Sequence, residues 1–235
     1  MTMTSLTQPI YLFAGSELLF WKVGGRAFID AIRQTIDEEA PKAAYIGASN
    51  GDAPEFYSIF EAAMEGIGVS TRRMIRASFP AEEREFLRQA RIVLLAGGDV
   101  ERGWKVLAET GMKDEVLSCY RNGAALVGVS AGAVQLGQHA LIERGESSHQ
   151  LLDSFELVPF VIDVHDEQRD WSRLSSTIRL LDGTKVGIGI PSGGGMVFHP
   201  DQTVEAVRRP LHEYRVEQGT LKHSLLMPSE RALHG

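Results

Sequence analysis

The chain has almost no cysteine, no long apolar run and no cluster of basic residues, and each absence excludes a class of protein. Its 235 residues include one cysteine, Cys119, so no disulfide can form within the chain. That usage favours a reducing compartment, and we expect the cytoplasm. No apolar stretch approaches the ~18 residues that a membrane span requires. The first residues lack the basic and then apolar pattern of a signal peptide, so we expect none.

The charge balance is acidic. Lys and Arg number 24 against 31 Asp and Glu, which gives a formal net charge of −7. With no run of basic residues, the sequence argues against nucleic acid as a partner. Hydrophobic residues make up 43% of the chain and charged residues 23%, as is ordinary for a globular protein. We find no repeat or linker, and we predict one domain over residues 1–235.

Strand-like and helix-like segments alternate over the first two thirds of the chain. The predicted strands are 10–15, 43–49, 72–77, 92–98 and 124–129. The predicted helices are 26–36, 54–64, 81–90, 102–109 and 113–121. This alternation is typical of βαβ units, so we predict an α/β fold with a mostly parallel sheet and helices on both faces. After residue 145 the pattern predicts a helix over 169–181, strands over 186–190, 195–199 and 203–207, and a tail of strand and loop.

A serine lies between glycines where the predicted strand 124–129 ends. Residues 128–132 read GVSAG, with Ser130 at the centre. This matches G-x-S-x-G between a strand and a helix, the context of a nucleophile elbow. The loop Gly97-Gly98-Asp99 follows the preceding strand, so both segments are expected at the ligand-binding edge of the sheet. The alternative is an ordinary tight turn that begins a helix.

A serine nucleophile requires a base, which is usually histidine. Of the seven histidines, His165 is the best placed, since it follows the apolar residues 160–162 and precedes a charged helix. A histidine at a strand end near the ligand-binding crevice is well placed to meet Ser130. The alternative is an ordinary surface histidine.

Taken together, these residues make the chain resemble the dipeptidase E and cyanophycinase family of serine peptidases. The family's elbow G-x-S-A-G-A corresponds to residues 128–133, its G-G-[ND] loop to 97–99, and its H-x-x-x-R segment to 165–169, with Arg173 and Leu174 following. The resemblance covers roughly residues 10 to 210. It implies a flavodoxin-like fold related to class I glutamine amidotransferases, and relatives of this kind often form homodimers.

The resemblance also implies a role for each matching residue. Ser130 would attack a peptide carbonyl, and His165 would take its proton. The backbone N–H groups of Gly98 and Ala131 would stabilise the oxyanion. The candidate substrate-binding residues are Asp99, Arg169 and Arg173.

The two arginines suit a substrate carboxylate because a guanidinium offers two parallel donors. The substrate implied is therefore a small peptide, such as a dipeptide with an acidic residue. The alternative for both arginines is ordinary charge on a helix surface.

One position departs from the family pattern. The family's acid is a glutamate in a late G-[IL]-[DP]-E segment, but residues 189–192 here read GIPS and end in Ser192. Loss of the acid in a well-studied triad costs ~10⁴-fold in rate. Three explanations stay open: Ser192 itself holds the histidine, another carboxylate substitutes, or the site only binds ligand. The candidate carboxylates are Asp163, Glu143, Glu146 and Glu205.

We therefore predict a serine peptidase with an atypical or missing acid, and the alternative is a non-catalytic binding or regulatory protein. An α/β-hydrolase esterase that uses Asp182 with His199 or His212 would leave His165 unexplained. An amidotransferase is disfavoured because its elbow needs a thiolate. We expect no metal and no cofactor.

The residues of the triplet 165–167 (His-Asp-Glu) are consecutive, so their side chains cannot all face one ion. The glycines near residue 190 do not follow the pattern of a dinucleotide-binding loop.

Overall fold

The computed structural model describes residues 7–144 and 149–229. Its strands are β1 Ile10–Phe13, β2 Lys22–Val23, β3 Arg26–Ala27, β4 Lys42–Ile46, β5 Thr71–Ile75, β6 Ala90–Leu95, β7 Ala125–Val129, β8 His139–Glu143, β9 His149–Asp153, β10 Phe160–Val164, β11 Val186–Ile190, β12 Gly195–Phe198, β13 Val204–Val207, β14 Leu211–Glu217 and β15 Thr220–Leu226. Its α-helices are α1 Asp30–Gln34, α2 Pro54–Gly66, α3 Ala81–Arg88, α4 Val100–Glu109, α5 Met112–Arg121, α6 Ala131–Leu136 and α7 Ser172–Leu180. Short 3₁₀ helices span Ser16–Leu19, Ala48–Asn50 and Glu167–Arg169.

A seven-stranded sheet forms the centre of the molecule, in the order β13-β12-β1-β7-β6-β4-β5. The five neighbouring strands β1, β7, β6, β4 and β5 run parallel. Strands β12 and β13 extend the β1 edge in antiparallel pairing. The mostly parallel sheet is therefore confirmed, and the fold is α/β and flavodoxin-like. Since β6 pairs with β7, the loop 97–99 and the elbow do follow neighbouring strands, as predicted.

Apolar residues cover both faces of this sheet because successive side chains of a buried strand point in opposite directions. In β1, Leu12 belongs to one core cluster and Phe13 to the other. Helices α3 to α6 contribute to the first cluster, whereas α1 and α2 contribute to the second. The single cysteine, Cys119, is buried in the first cluster, and burial raises the pKa of its thiol to about 11.

A second sheet, in the order β10-β11-β14-β15, packs beside the first. Strands β10 and β11 are parallel, while β14 and β15 form an antiparallel hairpin. Ile162 and Ile188 of this sheet belong to the same core cluster as Leu12, so the two sheets share one apolar interior. The sequence pattern predicts strands here but does not indicate that they leave the central sheet.

Two regions differ from the sequence prediction. The predicted helix 26–36 is largely wrong, because Gly24 and Gly25 take positive φ and turn the chain into the β2–β3 hairpin. Only α1 remains helical. The polar stretch after α6, for which no element is predicted, contains the β8–β9 hairpin, whose strands pair with each other alone. Both are two-stranded ribbons with weak sequence patterning.

Glycines in this fold permit close packing. A Cβ at Gly189 would lie 2.6 Å from the Trp171 ring, and one at Gly187 would lie 2.8 Å from Leu174. These glycines of β11 therefore make room for α7 and the turn before it. Packing explains their spacing, and a nucleotide-binding motif is not needed to account for it. In the described part of the chain, no helix is both long enough and apolar enough to cross a membrane.

Gly132 of the elbow holds α6 against β6, and its substitution tests that packing. A Cβ on Gly132 would lie 2.1 Å from the Leu95 carbonyl oxygen, a backbone atom that cannot move aside cheaply. We expect Gly132→Ala to lower the free energy of unfolding by about 1–3 kcal/mol, measured by urea denaturation.

Gly66 at the end of α2 provides the matched control. A Cβ there meets nothing within 4 Å, so Gly66→Ala should be neutral or stabilise the protein by up to about 1 kcal/mol. Equal stability of the two variants would contradict the packing role assigned to Gly132.

Candidate active site

Ser130 and His165 meet where two strands from different sheets end. Ser130 directly follows β7 of the central sheet, and His165 directly follows β10 of the second sheet. The Ser130 Oγ lies 3.0 Å from the His165 Nε2, which is hydrogen-bonding distance. The structure thus brings together the two residues that the sequence selects as nucleophile and base.

The backbone of Ser130 is held in an unusual conformation. Its φ is 50° and its ψ is −110°, outside the regions that a non-glycine residue ordinarily occupies. The Ser130 N–H donates to the Phe13 carbonyl at 2.9 Å, and the Ser130 carbonyl accepts from Ala133 at 2.9 Å. Strain of this kind persists only where surrounding contacts enforce it. A sharp strand-to-helix turn with this kind of strain is the geometry that a nucleophile elbow requires.

His165 is also fixed through its backbone. It has a positive φ of 43°, and its N–H donates to the Ile190 carbonyl of β11 at 2.9 Å. The ring is exposed to solvent on one side and contacts Ser130 on the other. The neighbouring strand β11 therefore sets the direction in which the imidazole leaves β10.

Two backbone N–H groups lie beside the serine without a hydrogen-bond acceptor among the described residues. They belong to Gly98 and Ala131, and both residues line a cavity with Ser130. Gly98 has a φ of 135°, and a Cβ there would lie 2.2 Å from the Ser49 carbonyl oxygen, so only glycine fits. Two free donors near a nucleophile are the arrangement that an oxyanion hole requires.

Asp163 is buried and is bonded away from His165. Its carboxylate accepts from the Arg173 guanidinium, with Nε at 3.0 and 3.2 Å and Nη2 closer still, and from the Val164 N–H at 2.9 Å. Burial raises the pKa of Asp163, and the Arg173 charge only partly opposes this. In this arrangement Asp163 anchors Arg173, which lines the cavity beside Ser130.

The other two candidate substrate-binding residues are used in local contacts. The Asp99 carboxylate caps α4 by accepting from the Arg102 N–H at 2.7 Å. The Arg169 guanidinium donates to Asp166 at 2.8 Å, and the Asp166 side chain is almost fully buried. Both arginines of the His-Arg segment thus lie beside an aspartate.

Ser192 follows β11, next to the end of β10, and its partner is a residue that the sequence analysis does not select. The Ser192 N–H donates to the Glu167 Oε1 at 3.1 Å. Burial opposes ionisation of Glu167, but hydrogen bonds from the Ser192 side chain and from the backbones of Glu167 and Ser192 outweigh it and lower the pKa, with a smaller contribution from nearby His165. The only sequence signal for Glu167 is the polar triplet 165–167. Its consecutive spacing argues against a metal site and does not suggest a role beside His165.

The remaining candidates from the sequence lie elsewhere or outside the described residues. Glu205 pairs with His199 at 3.3 Å. The His212 ring packs at a tilt against Trp171 with ring centroids 5.1 Å apart. Neither His199 nor His212 is bonded to Ser130, which bonds His165. Glu146 and the side chain of Glu143 lie outside the described residues.

Two cavities flank Ser130. The smaller, of about 130 Å³, contains His165, Arg173 and the free N–H groups. The larger, of about 350 Å³, is lined mainly by apolar atoms and carries the polar groups of Glu17, Tyr45 and Asn50. Within residues 7–144 and 149–229, no group of three or more metal-ligating side chains is assembled.

Comparisons with known proteins agree with this fold. The chain is 27% identical over 206 residues to a cyanophycinase from Geminocystis herdmanii (strain PCC 6308), covering 82% of this chain and 72% of the relative. Its fold is similar to that of a peptidase from an acI-B1 Actinobacterium, with a TM-score of 0.70, 17% identity and 95% and 96% of the two chains covered. A protein from Listeria monocytogenes EGD-e, provisionally assigned as a peptidase E, matches with a TM-score of 0.63, 15% identity and 90% and 100% coverage.

A family model also matches most of the chain. The model of peptidase family S51 aligns with residues 23–206, which include the elbow, the Gly97-Gly98 loop and the His-Arg segment. The resemblance to the dipeptidase E and cyanophycinase family is therefore confirmed, and the chain belongs to peptidase family S51.

Proposed function

We propose that this protein is an active serine peptidase that hydrolyses small peptides through Ser130 and His165. The observation that carries the proposal is the 3.0 Å distance between the Ser130 Oγ and the His165 Nε2 at a strained elbow. A hydroxyl at this distance can pass its proton to the ring as it attacks a carbonyl.

The reaction proceeds in two halves. In the first, the Ser130 Oγ attacks the peptide carbonyl carbon while the His165 Nε2 takes the hydroxyl proton. The tetrahedral intermediate then collapses, the C–N bond breaks, and His165 returns the proton to the leaving amine. In the second half, His165 takes a proton from a water molecule as that water attacks the acyl carbon. The bond to the Ser130 Oγ then breaks, His165 returns the proton to Oγ, and the carboxylic acid product leaves.

The charge that develops on the carbonyl oxygen needs donors that are already in place. The free N–H groups of Gly98 and Ala131 meet that need and cost no reorganisation during the reaction. Removal of one such donor in other serine peptidases costs about 10²–10³-fold in kcat.

The size of the cavities supports a small substrate. The larger cavity, at about 350 Å³, is near the lower end of ordinary ligand pockets. Together with the smaller cavity on the other side of Ser130, it suits a few residues on each side of a scissile bond. A folded protein would not enter either cavity.

We also propose a cytoplasmic setting without a nucleic-acid partner. The only cysteine, Cys119, is a free thiol that packs in the core, in keeping with a reducing compartment. The net charge of −7 disfavours binding to a polyanion.

A non-catalytic binding protein is the second candidate, and the observation that favours it is Ser192. The family's glutamate is absent at that position, and loss of the acid greatly slows a well-studied triad. The two candidates differ in whether Ser130 reacts as a nucleophile, which can be measured directly.

Covalent labelling of the intact protein with a fluorophosphonate separates these candidates. We expect one adduct in the wild type, detected by intact mass, because a serine activated by histidine attacks the phosphorus. Ser130→Ala should give no adduct. A folded wild-type protein that forms no adduct, or a mutant that labels equally, would contradict the proposed mechanism.

Gly98→Ala tests the oxyanion assignment. The added Cβ would meet the Ser49 carbonyl and the positive φ would be strained, so the N–H must move. We expect kcat to fall about 10²–10³-fold with a smaller change in KM. Gly66→Ala is the control, and thermal melts confirm that each variant folds. A kcat within threefold of the wild type would rule out Gly98 as a donor.

We propose further that the substrate peptide carries an acidic residue, and that the Arg173 guanidinium binds its carboxylate. A charge-assisted hydrogen bond of about 1.5–3 kcal/mol would favour an aspartyl dipeptide about tenfold or more over its asparaginyl counterpart. The two substrates, Asp-Leu and Asn-Leu, differ only in charge. Equal kcat/KM values would show that the Arg173 charge is fully used by Asp163.

A further inference from the structure

Three carboxylates lie in or beside the segment that carries His165, and two of them face an arginine. Asp163 accepts from Arg173, and Asp166 accepts from Arg169. Each of these negative charges is matched by a positive charge at contact distance. The carboxylate that remains is Glu167, whose hydrogen bonds come from a serine instead.

Glu167 is held beside Ser192, the residue that stands where the family pattern calls for its acid. Its Oε1 accepts from the N–H of Ser192, the residue that replaces the family's glutamate. Ser192 follows β11, and His165 follows the adjacent parallel strand β10. The carboxylate of Glu167 therefore reaches from the β10 side to the β11 end.

The second oxygen of Glu167 has no hydrogen-bond partner. Its Oε2 is buried and receives no donor from any described residue. A buried acceptor without a donor loses its hydration and gains nothing in return, so such atoms are rare and call for an explanation. The Ser192 N–H bonds Oε1 only, so Oε2 stays available to a donor.

His165 presents the complementary atom. Its Nε2 faces Ser130, and for Nε2 to act as base the ring proton must sit on Nδ1. The described residues provide no hydrogen bond to Nδ1. Of the ionisable groups around Glu167, His165 and His212 are close enough to interact with its charge, and His212 is bonded to His223 at 3.0 Å.

We propose that Glu167 is the positioning residue for His165, and that its Oε2, which no donor reaches in this structure, accepts the Nδ1–H in the reacting enzyme in place of the missing glutamate. The carboxylate holds the tautomer in which Nε2 is free to take the Ser130 proton, and it stabilises the imidazolium that forms. Ser192 contributes by fixing Oε1. This inference rests on the proposed function, since it requires Ser130 to react.

The first test measures the rate of fluorophosphonate labelling as a function of pH in the full-length protein. We expect Glu167→Gln to fold but to label about 10²–10⁴-fold more slowly. The acidic limb of its profile should move to lower pH, because removal of a negative charge disfavours the imidazolium. Glu205→Gln, a matched change on β13, should match the wild type.

The second test exchanges the two residues. Glu167→Ser alone should label as slowly as Glu167→Gln. Adding Ser192→Glu should raise its rate at least tenfold, since the carboxylate returns from the other strand end. A role for Glu167 in folding alone would not predict this recovery.

The outcomes separate the two proposals. If wild-type Ser130 labels but Glu167→Gln keeps the same rate and the same acidic limb, the inference is overturned and the proposed function stands. The inference is also overturned if the exchanged variant folds and labels no faster than Glu167→Ser. A folded wild type that does not label overturns the proposed function itself.

Discussion

The site depends on one short helix, α6, which connects the two sheets. Ser130 lies at its beginning, directly after β7, and at its other end the Gln138 N–H donates to the Phe160 carbonyl of β10 at 2.9 Å. With about 1.5 Å of rise per residue, six helical residues span only about 9 Å. Phe160 begins β10, and His165 follows the other end of that strand. Because α6 is so short, β10 passes along it from the Gln138 end back to the elbow, and His165 lies next to Ser130.

The glycines around α6 make this close packing possible. A Cβ on Gly132 would overlap the Leu95 carbonyl, one on Gly128 would lie 2.7 Å from Ala133, and one on Gly137 would lie 3.0 Å from Phe160. The elbow motif is thus first a packing requirement between α6, β6 and β10. The strained backbone of Ser130 follows from it, since the chain must turn sharply to enter a helix held so near the sheet.

Charge pairing around His165 divides its acidic neighbours into two groups. Asp163 and Asp166 hold arginines in place, so they shape the smaller cavity and its surroundings. Glu167 is bonded to neutral donors of Ser192, which keeps its charge uncompensated by an arginine. Parallel neighbouring strands end at one edge, so a side chain from the β10 end can occupy the space that a residue of the β11 end would fill.

Hydrophobic periodicity and a few motifs determined much of this protein. The buried runs at β6 and β7 predict adjacent central strands. GVSAG and the strand-end position of His165 predict the pair at the site, although the two strands belong to different sheets. The β2–β3 hairpin escaped prediction, since two glycines interrupt a helical pattern only through their backbone conformation.

Tertiary structure alone decided the rest. The sequence lists Asp163, Asp166 and Glu167 as equivalent carboxylates near one histidine. Packing brings Arg173 of α7 to Asp163 and the N–H of Ser192, 25 residues along the chain, to Glu167, whereas Asp166 bonds the nearby Arg169. The separation of β10 and β11 into a second sheet likewise depends on the shared core, which local patterns do not encode.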